Sequence, residues 1–254
     1  MDRIAPQVQQ PQQPQQRPRR VMIGTACYDG KIDVWYANSM LETVKAGLTL
    51  GIEIFPIYLS YDALVQRARN DLIAMMLELG CDDIVFIDSD IEWQPNDFFK
   101  LLNYPVDVVG GTYRKKGDAE LYVAKILDPQ RQKDPNTGLL SVDGLGTGFL
   151  KMNRNAVQTL WDTSVPYEER DAGKVRRWIF DVIVDNGELI SEDILVCNRL
   201  IEAGIPIWLD TSITCNHVGM KKYTGNFDAW FSGFKNTVNS TSYGTPPDIK
   251  SLYE

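Results

Sequence analysis

A chain of 254 residues, 44% of them hydrophobic, has enough apolar material for one sizeable core or two small ones. Its formal charge of −8 and pI near 4.8 argue against a nucleic-acid-binding surface. No apolar run approaches the ~18–20 residues that span a bilayer, and no export segment opens the sequence. Cys27, Cys81, Cys197 and Cys215 form no C-x-x-C pair, so the expectation is a cytoplasmic protein with reduced core thiols.

Residues 1–19 are rich in Gln and Pro and have almost nothing to bury, which predicts a disordered tail closed by the basic cluster Arg17, Arg19 and Arg20. Val21 to Ala26 reads as a first buried strand, followed by the polar loop from Tyr28 to Lys31. Trp35, Met40, Leu41, Val44 and Leu48 recur at helical spacing over 34–50, with Gly51 as the stop. A second strand over 52–59 leads to Ser60 and Asp62 as N-caps of a helix reaching Gly80, with Leu64, Ala68, Leu72, Met75 and Leu79 on one face. A third strand, Ile84 to Ile87, completes a β-α-β-α-β order that argues for a parallel sheet with helices on its faces.

That third strand ends in Asp88-Ser89-Asp90. A strand places residues i and i+2 on the same side, so Asp88 and Asp90 can point together. Converging carboxylates repel unless a cation lies between them, and hard oxygen donors suit Mn²⁺ or Mg²⁺ bridging to a diphosphate. The competing reading is a polar turn at a strand end. Ligands of parallel sheets collect beyond the carboxyl ends of the strands, which places Thr25, Tyr28 and Asp29 in the same cleft as the acidic pair.

A short helix over 97–102 and strands over 106–111 and 121–127 come next. Between the two strands, Tyr113-Arg114-Lys115-Lys116-Gly117 is a basic loop in an acidic protein, either a solvated turn or a cationic lid over a diphosphate. Gly144-Leu145-Gly146-Thr147-Gly148 lacks dinucleotide-binding spacing and runs into a strand over 149–152; its glycines suit close approach by a ligand or neighbouring backbone. Residues 162–177 are strongly charged and read as mobile, and Trp178-Ile179-Phe180 as extended and partly buried. Ser191-Glu192-Asp193 opens a helix over 194–203, where Ser191 can cap and the acids favour the helix dipole, or a carboxylate can take a proton from a hydroxyl. A strand over 205–209 precedes His217, the one histidine, expected in a loop between Asn216 and Gly219; with two carboxylates an imidazole would favour Mn²⁺ over Mg²⁺. Phe227, Trp230, Phe231 and Phe234 could staple the C-terminal segment, with residues beyond about 240 loose.

Ile87-Asp88-Ser89-Asp90, Gly146-Thr147-Gly148-Phe149, Ser191-Glu192-Asp193 with Cys197, Arg199 and Gly204, Trp208-Leu209-Asp210 and His217-Val218-Gly219 form an ordered set. The set resembles GT-A glycosyltransferases, nearest to those of phages and large DNA viruses, including capsid-glycosylating enzymes. The resemblance covers residues 21–225 and implies a Rossmann-like α/β domain over 20–235, with a mixed, mostly parallel sheet flanked by helices. Residues 236–254 would be a loosely packed tail.

It further implies that Asp88, Asp90 and His217 hold Mn²⁺ (or Mg²⁺), with Asp88 and Ser89 near a UDP- or GDP-sugar. Arg67, Arg69 and Asn70 match an R-x-R-N segment near the nucleotide, and Asp193, with Glu192 beside it, matches the general base of inverting members. Thr25, Tyr28, Asp29, Lys116, Gly146 and Thr147 would complete the donor site. The first loop, Cys27-Tyr28-Asp29, departs from the commonest pattern, which leaves the base open. The expected reaction is transfer of a hexose or deoxyhexose to a hydroxyl of a glycan or glycoprotein, in the host cytoplasm if the chain is viral. The other readings are a metal-dependent nucleotidyltransferase and a non-catalytic carbohydrate-binding or virion-associated protein on the same scaffold.

Overall fold

The computed structural model describes residues 17–169 and 173–240. The expected tail, residues 1–19, therefore lies outside the described residues up to position 16, as does the segment beyond 240. Order begins earlier than expected. Arg17 pairs with Asp82 at 2.5 Å and Arg19 with Asp83 at 2.7 Å, so this basic cluster is anchored rather than wholly solvated.

In chain order the elements are β1 (Arg20–Cys27), α1 (Val34–Leu50), β2 (Glu53–Ser60), α2 (Val65–Glu78), β3 (Asp83–Ile87), β4 (Ile91–Glu92), α3 (Pro95–Asn103) and β5 (Val108–Tyr113). Then come β6 (Ala124–Lys125), β7 (Leu140–Val142), β8 (Gly144–Leu145), β9 (Phe149–Asn153), α4 (Arg154–Thr163), β10 (Pro166–Glu169) and β11 (Lys174–Arg177). The chain closes with β12 (Ile183–Asp185), β13 (Glu188–Ile190), α5 (Glu192–Glu202), β14 (Ile207–Val218), β15 (Lys222–Tyr223) and α6 (Phe227–Ser240).

The main sheet has the order β15-β14-β5-β9-β3-β1-β2. β1 pairs in parallel with β2 and β3, and β14 with β5, while β9 runs antiparallel between β3 and β5. The expected mixed, mostly parallel α/β architecture is what forms. β2 lies at the edge, where Pro56, which has no amide hydrogen to donate, is tolerated.

Strand alternation splits the core between the two faces. Met22, Ile84 and Phe86 pack on one side with Leu72 and Met76 of α2, Val157 of α4 and Leu200 of α5. Val21, Ile23, Val85 and Ile87 face the other side, with Met40 of α1 and Phe98 of α3. All of β3 is buried, as an uninterrupted apolar strand sandwiched between two helix layers must be.

Several expectations shift. α1 has the expected span and its αL stop at Gly51, but it buries Tyr36, Ser39, Met40, Thr43 and Gly47 and leaves Trp35, Leu41 and Leu48 exposed. The reason is close packing on β2: a side chain at Gly47 would meet Ile54 at 2.5 Å, so the small-residue face turns inward. Leu64 caps α2 only through its backbone, and Asp62 accepts the Leu64 amide hydrogen instead. Much of the strand expected over 121–127 is irregular, α4 forms where no element had been assigned, and the β10–β11 hairpin and α6 form where mobile charge and a stapled C-terminal segment were expected. All four cysteines are free and buried, as expected.

The segment 178–180 has no regular structure, yet Ile179 and Phe180 are fully buried. Asn70 substitutes for a strand neighbour: its Oδ1 accepts from the amides of Ile179 and Phe180 at 3.1 and 2.7 Å, and its Nδ2 donates to the Phe180 carbonyl at 3.1 Å. Arg199 donates to the carbonyls of Trp178 and Ile179 at 2.5 and 2.6 Å. Asn70→Ala removes the partner of the buried Phe180 amide and of the Phe180 carbonyl, at about 1–3 kcal/mol each, while the Ile179 amide keeps its bond to the Arg177 carbonyl. Urea unfolding should show about 3 kcal/mol of destabilisation with an unchanged m-value; a loss under 1 kcal/mol would contradict this role.

Candidate active site

Strands β1, β3, β5 and β14 all end at one edge of the sheet, and antiparallel β9 begins there, because Ile87 pairs with Phe149. The Asp88–Asp90 turn, the 114–118 loop, Gly146–Gly148 and the C-terminal end of β14 therefore meet. α5 brings Glu192 and Asp193 to the same place.

The acidic pair does not converge as alternation predicts. β3 stops at Ile87, and Asp88-Ser89-Asp90 is a turn closed by the Ile91 amide donating to the Asp88 carbonyl at 3.0 Å. With the pleat interrupted, the two carboxylates part. Asp88 meets Arg69 at 3.0 Å, while Asp90 meets Lys116 and lies 3.5 Å from His217 Nε2. Ser89 contributes its carbonyl, which accepts from Asp33 at 2.9 Å and ties the turn to the start of α1.

Arg69 is the arginine of the R-x-R-N segment that turns inward. It is 5% exposed and bridges Asp88 and Glu192, the latter at 2.7 Å. Burial opposes its charge, but Asp88 and Glu192 more than offset this and raise its pKa. Arg67 turns outward to Asp62 at 2.8 Å. Asn70, expected near the nucleotide, is consumed by the 178–180 segment, and Thr25 is fully buried with its hydroxyl 2.6 Å from that of Tyr36. Neither lines a cleft. Tyr28 is exposed, and Asp29 pairs with Lys31 at 3.2 Å on the surface.

His217 lies within β14, paired with Ile91 and Tyr223, and not in the expected loop. Its Nδ1 is 2.9 Å from the Arg114 carbonyl oxygen, which can only accept, so Nδ1 carries a proton. Nε2 faces the Asp90 carboxylate, to which it donates when it carries a proton; a divalent cation taking that proton's place would be held between the imidazole nitrogen and the carboxylate. Lys116 brings its ammonium to Asp90, and Gly219 lets the lysine stem run past, since a Cβ there would sit 3.3 Å from it. Burial raises the Asp90 carboxyl, but hydrogen bonds from His217 and Lys116 outweigh burial and hold it below its ordinary value of 3.8.

Among the described residues, no three His, Cys, Asp or Glu side chains gather as a metal cage. Asp90 and His217 nevertheless form a mixed oxygen and nitrogen pair that suits Mn²⁺, a number of protein ligands common where phosphates and water fill the remaining positions. Asp88 is not part of that pair.

Tyr113, which the sequence reading left unassigned, occupies the centre. It is 5% exposed, its ring meets His217 edge-on at 5.1 Å, and its hydroxyl accepts from the Gly148 amide at 3.1 Å. A side chain at Gly148 would come within 2.4 Å of that hydroxyl oxygen, and one at Gly146 within 2.4 Å of Val123. The glycines thus make room for neighbouring side chains, although Gly146 also lines the cleft. Burial, then the Asp88 carboxylate, push the Tyr113 pKa well up, so the phenol stays protonated. Thr147 is buried beside it, with no hydrogen-bond partner for its hydroxyl among the described residues.

Asp193 opens onto a cleft of about 340 Å³, with Lys115, Gly146, Ser191 and Val123 among its walls. Ser191 occupies the N-cap position but makes no capping bond; its hydroxyl donates to Asp193 Oδ1, as does the Ile194 amide at 2.8 Å. Lys115, expected as part of the basic loop, lines the cleft, whereas Tyr113 had been given no role of its own. The available signal was their place directly after a buried, glycine-containing strand.

No protein-family model matches the sequence, and no curated protein matches it. Among solved structures, A197 from STIV superposes with a TM-score of 0.50 at 19% identity, covering 82% of this chain and 94% of its own, so the fold is shared. A glycosyltransferase involved in the glycosylation of the major capsid of PBCV-1 overlaps 56% of this chain and 62% of its own, at 14% identity and a TM-score of 0.32. The inositol-1-phosphate CTP transferase from T. maritima covers 91% of this chain and 100% of its own, at 9% identity and 0.39. These last two overlays carry no functional weight. No helix among the described residues is long and apolar enough to cross a membrane.

Because the Asp90 pKa is depressed, its stabilising contribution is present above the ordinary carboxylate pKa and lost as pH falls through the lower folded value. Lys116→Gln removes one of the cations responsible. Carboxyl-carbon NMR should then show the Asp90 midpoint move upward; an unmoved midpoint would show that the pair does not form.

Proposed function

We propose that the chain is a metal-dependent glycosyltransferase of GT-A type, moving a hexose or deoxyhexose from a nucleoside-diphosphate sugar to an acceptor hydroxyl with inversion. What supports this reading is the pair Asp90 and His217 with the Lys116 ammonium beside it, together with a carboxylate at a helix start, Asp193, in a cleft that Lys115 also lines. Asp88 belongs to the donor side through Arg69, positioned to meet the ribose rather than the ion.

A divalent ion on Asp90 and His217 would supply Lewis-acid stabilisation of the diphosphate. The remaining work falls to the chain's own groups. Lys116 leaves Asp90 to meet phosphate oxygens, with Lys115 beside it on the cleft wall. With Oδ1 engaged by Ser191 and the Ile194 amide, Asp193 Oδ2 accepts the proton of the acceptor hydroxyl. The freed oxygen bonds to the anomeric carbon as the bond from that carbon to the diphosphate breaks, and the electron pair leaves with the nucleoside diphosphate. Glu192 stays paired with Arg69 and orients the start of α5. Tyr113, a neutral phenol, keeps the Gly146–Gly148 wall fixed.

Asp193→Asn should retain binding of UDP or GDP with Mn²⁺ while transfer falls about 10²–10⁴-fold. The check is donor turnover with a glycan acceptor mixture, alongside calorimetry of the nucleotide; undiminished turnover in the variant would remove Asp193 as the base.

A further inference from the structure

The chain carries a net charge of −8, so its cations have carboxylates in excess to pair with. Among the described residues, every lysine ammonium meets a carboxylate or a backbone carbonyl except those of Lys115, Lys125 and Lys174. Lys174 lies on the β10–β11 hairpin. Lys115 and Lys125 both line the cleft of about 340 Å³ that holds Asp193.

The backbone beneath each of the two is fixed while its head group is left free. Lys115 donates its amide to the Leu121 carbonyl at 2.7 Å, beside the bridge between Arg114 and Tyr122. Lys125 pairs with Gly144 across β6 and β8, and its carbonyl accepts from the Asp143 amide at 2.9 Å. A Cβ at Gly144 would lie 2.6 Å from Ile194 Cδ1 and 3.4 Å from Lys125 Cβ, so the glycine lets this ribbon sit against the first turn of α5. The cation pair is separate. Lys116, the neighbour of Lys115, turns to Asp90 instead, and neither Asp90 nor His217 is a wall of this cleft.

Among the described residues, Asp193 is the one carboxylate on these walls, set against two unpaired ammonium groups. Cationic side chains gathered on a concave surface focus a positive potential and concentrate anions. Lysine is a point charge on a flexible stem, suited to a carboxylate or a phosphate held in variable pose. A neutral ligand would leave both ammonium groups without a counter-charge. We infer that this cleft receives an anionic group, a carboxylate or a phosphate monoester, carried by the molecule whose hydroxyl reaches Asp193. The acceptor is then negatively charged. Its role as acceptor rests on the transferase reading; the binding of an anion does not.

Calorimetry on the full chain in chelator tests it, with methyl glucuronide and glucose 6-phosphate as anionic probes and methyl glucoside as their neutral counterpart. At least one anionic probe should bind, about tenfold or more tighter than the neutral sugar, and weaken as salt is raised. Lys125→Gln should lower that affinity about three- to tenfold, Lys125→Arg should restore it, and Lys174→Gln should leave it unchanged. UDP binding with Mn²⁺ should be the same in Lys125→Gln as in the wild type. Equal binding of neutral and anionic sugars, no binding of either anionic probe, or affinity untouched by Lys125→Gln would overturn the inference. So would a Lys125→Gln chain that loses UDP as well, since the lysine would then serve the donor diphosphate. If an anionic probe binds through Lys125 while no nucleotide binds with Mn²⁺, the anion site stands and the transferase reading falls.

Discussion

A guanidinium buried to 5% exposure cannot shed its charge, so Arg69 must find carboxylates, and it finds two from distant parts of the chain. Asp88 follows β3, while Glu192 begins α5, 123 residues beyond Arg69 in sequence. A buried ionic cluster of this kind is a poor source of net stability, but it is severely disrupted when one member is lost. Its consequence here is positional. Arg69 ties Glu192, at the start of α5, to Asp88 in the turn after β3; Asp193 follows the one and Asp90 lies two residues after the other. Phe180 supports the same guanidinium from 5.9 Å and is itself held by Asn70, so α2 anchors both the cluster and the segment beneath it.

Much of this was legible in the sequence where one signal dominated. Uninterrupted apolar runs located β1 and β3, Gly51 ended α1 where expected, and the succession of strands and helices implied the layered sheet. The acidic turn, the basic loop and the start of α5 all lie at the edge where parallel strands deliver their loops. What failed had identifiable physical causes. A strand's alternation cannot be extended past its last ladder bond, and β3 ends one residue before Asp88. Hydrophobicity misjudged the buried face of α1, because closeness to Ile54 at Gly47 mattered more than apolar character. Asn70 and Thr25 carry no local mark that distinguishes a buried structural polar group from a ligand contact. His217 lies in a strand because β14 continues through a register shift between Leu209 and Thr214, which no periodicity in the sequence announces.

The charge arrangement distinguishes two halves of the site. On one side, each carboxylate of the turn already has a partner: Arg69 for Asp88, and Lys116 with His217 for Asp90. Arg69 is buried and fixed, whereas Lys116 is a surface side chain on a loop and can exchange its carboxylate for a phosphate. On the other side, Asp193 is held by a hydroxyl and an amide. The turn thus combines one fixed charge, Arg69, with one exchangeable charge, Lys116.

The central claim is that Asp90 and His217 share a cation that in turn holds a diphosphate. Calorimetry of UDP and GDP against the full chain, with Mn²⁺ and then with a chelator, tests it most directly. The account predicts that one of the nucleotides binds only when Mn²⁺ is present, and that Asp90→Asn abolishes this dependence together with the binding. Equal affinity with and without metal, or binding untouched by Asp90→Asn, would contradict it.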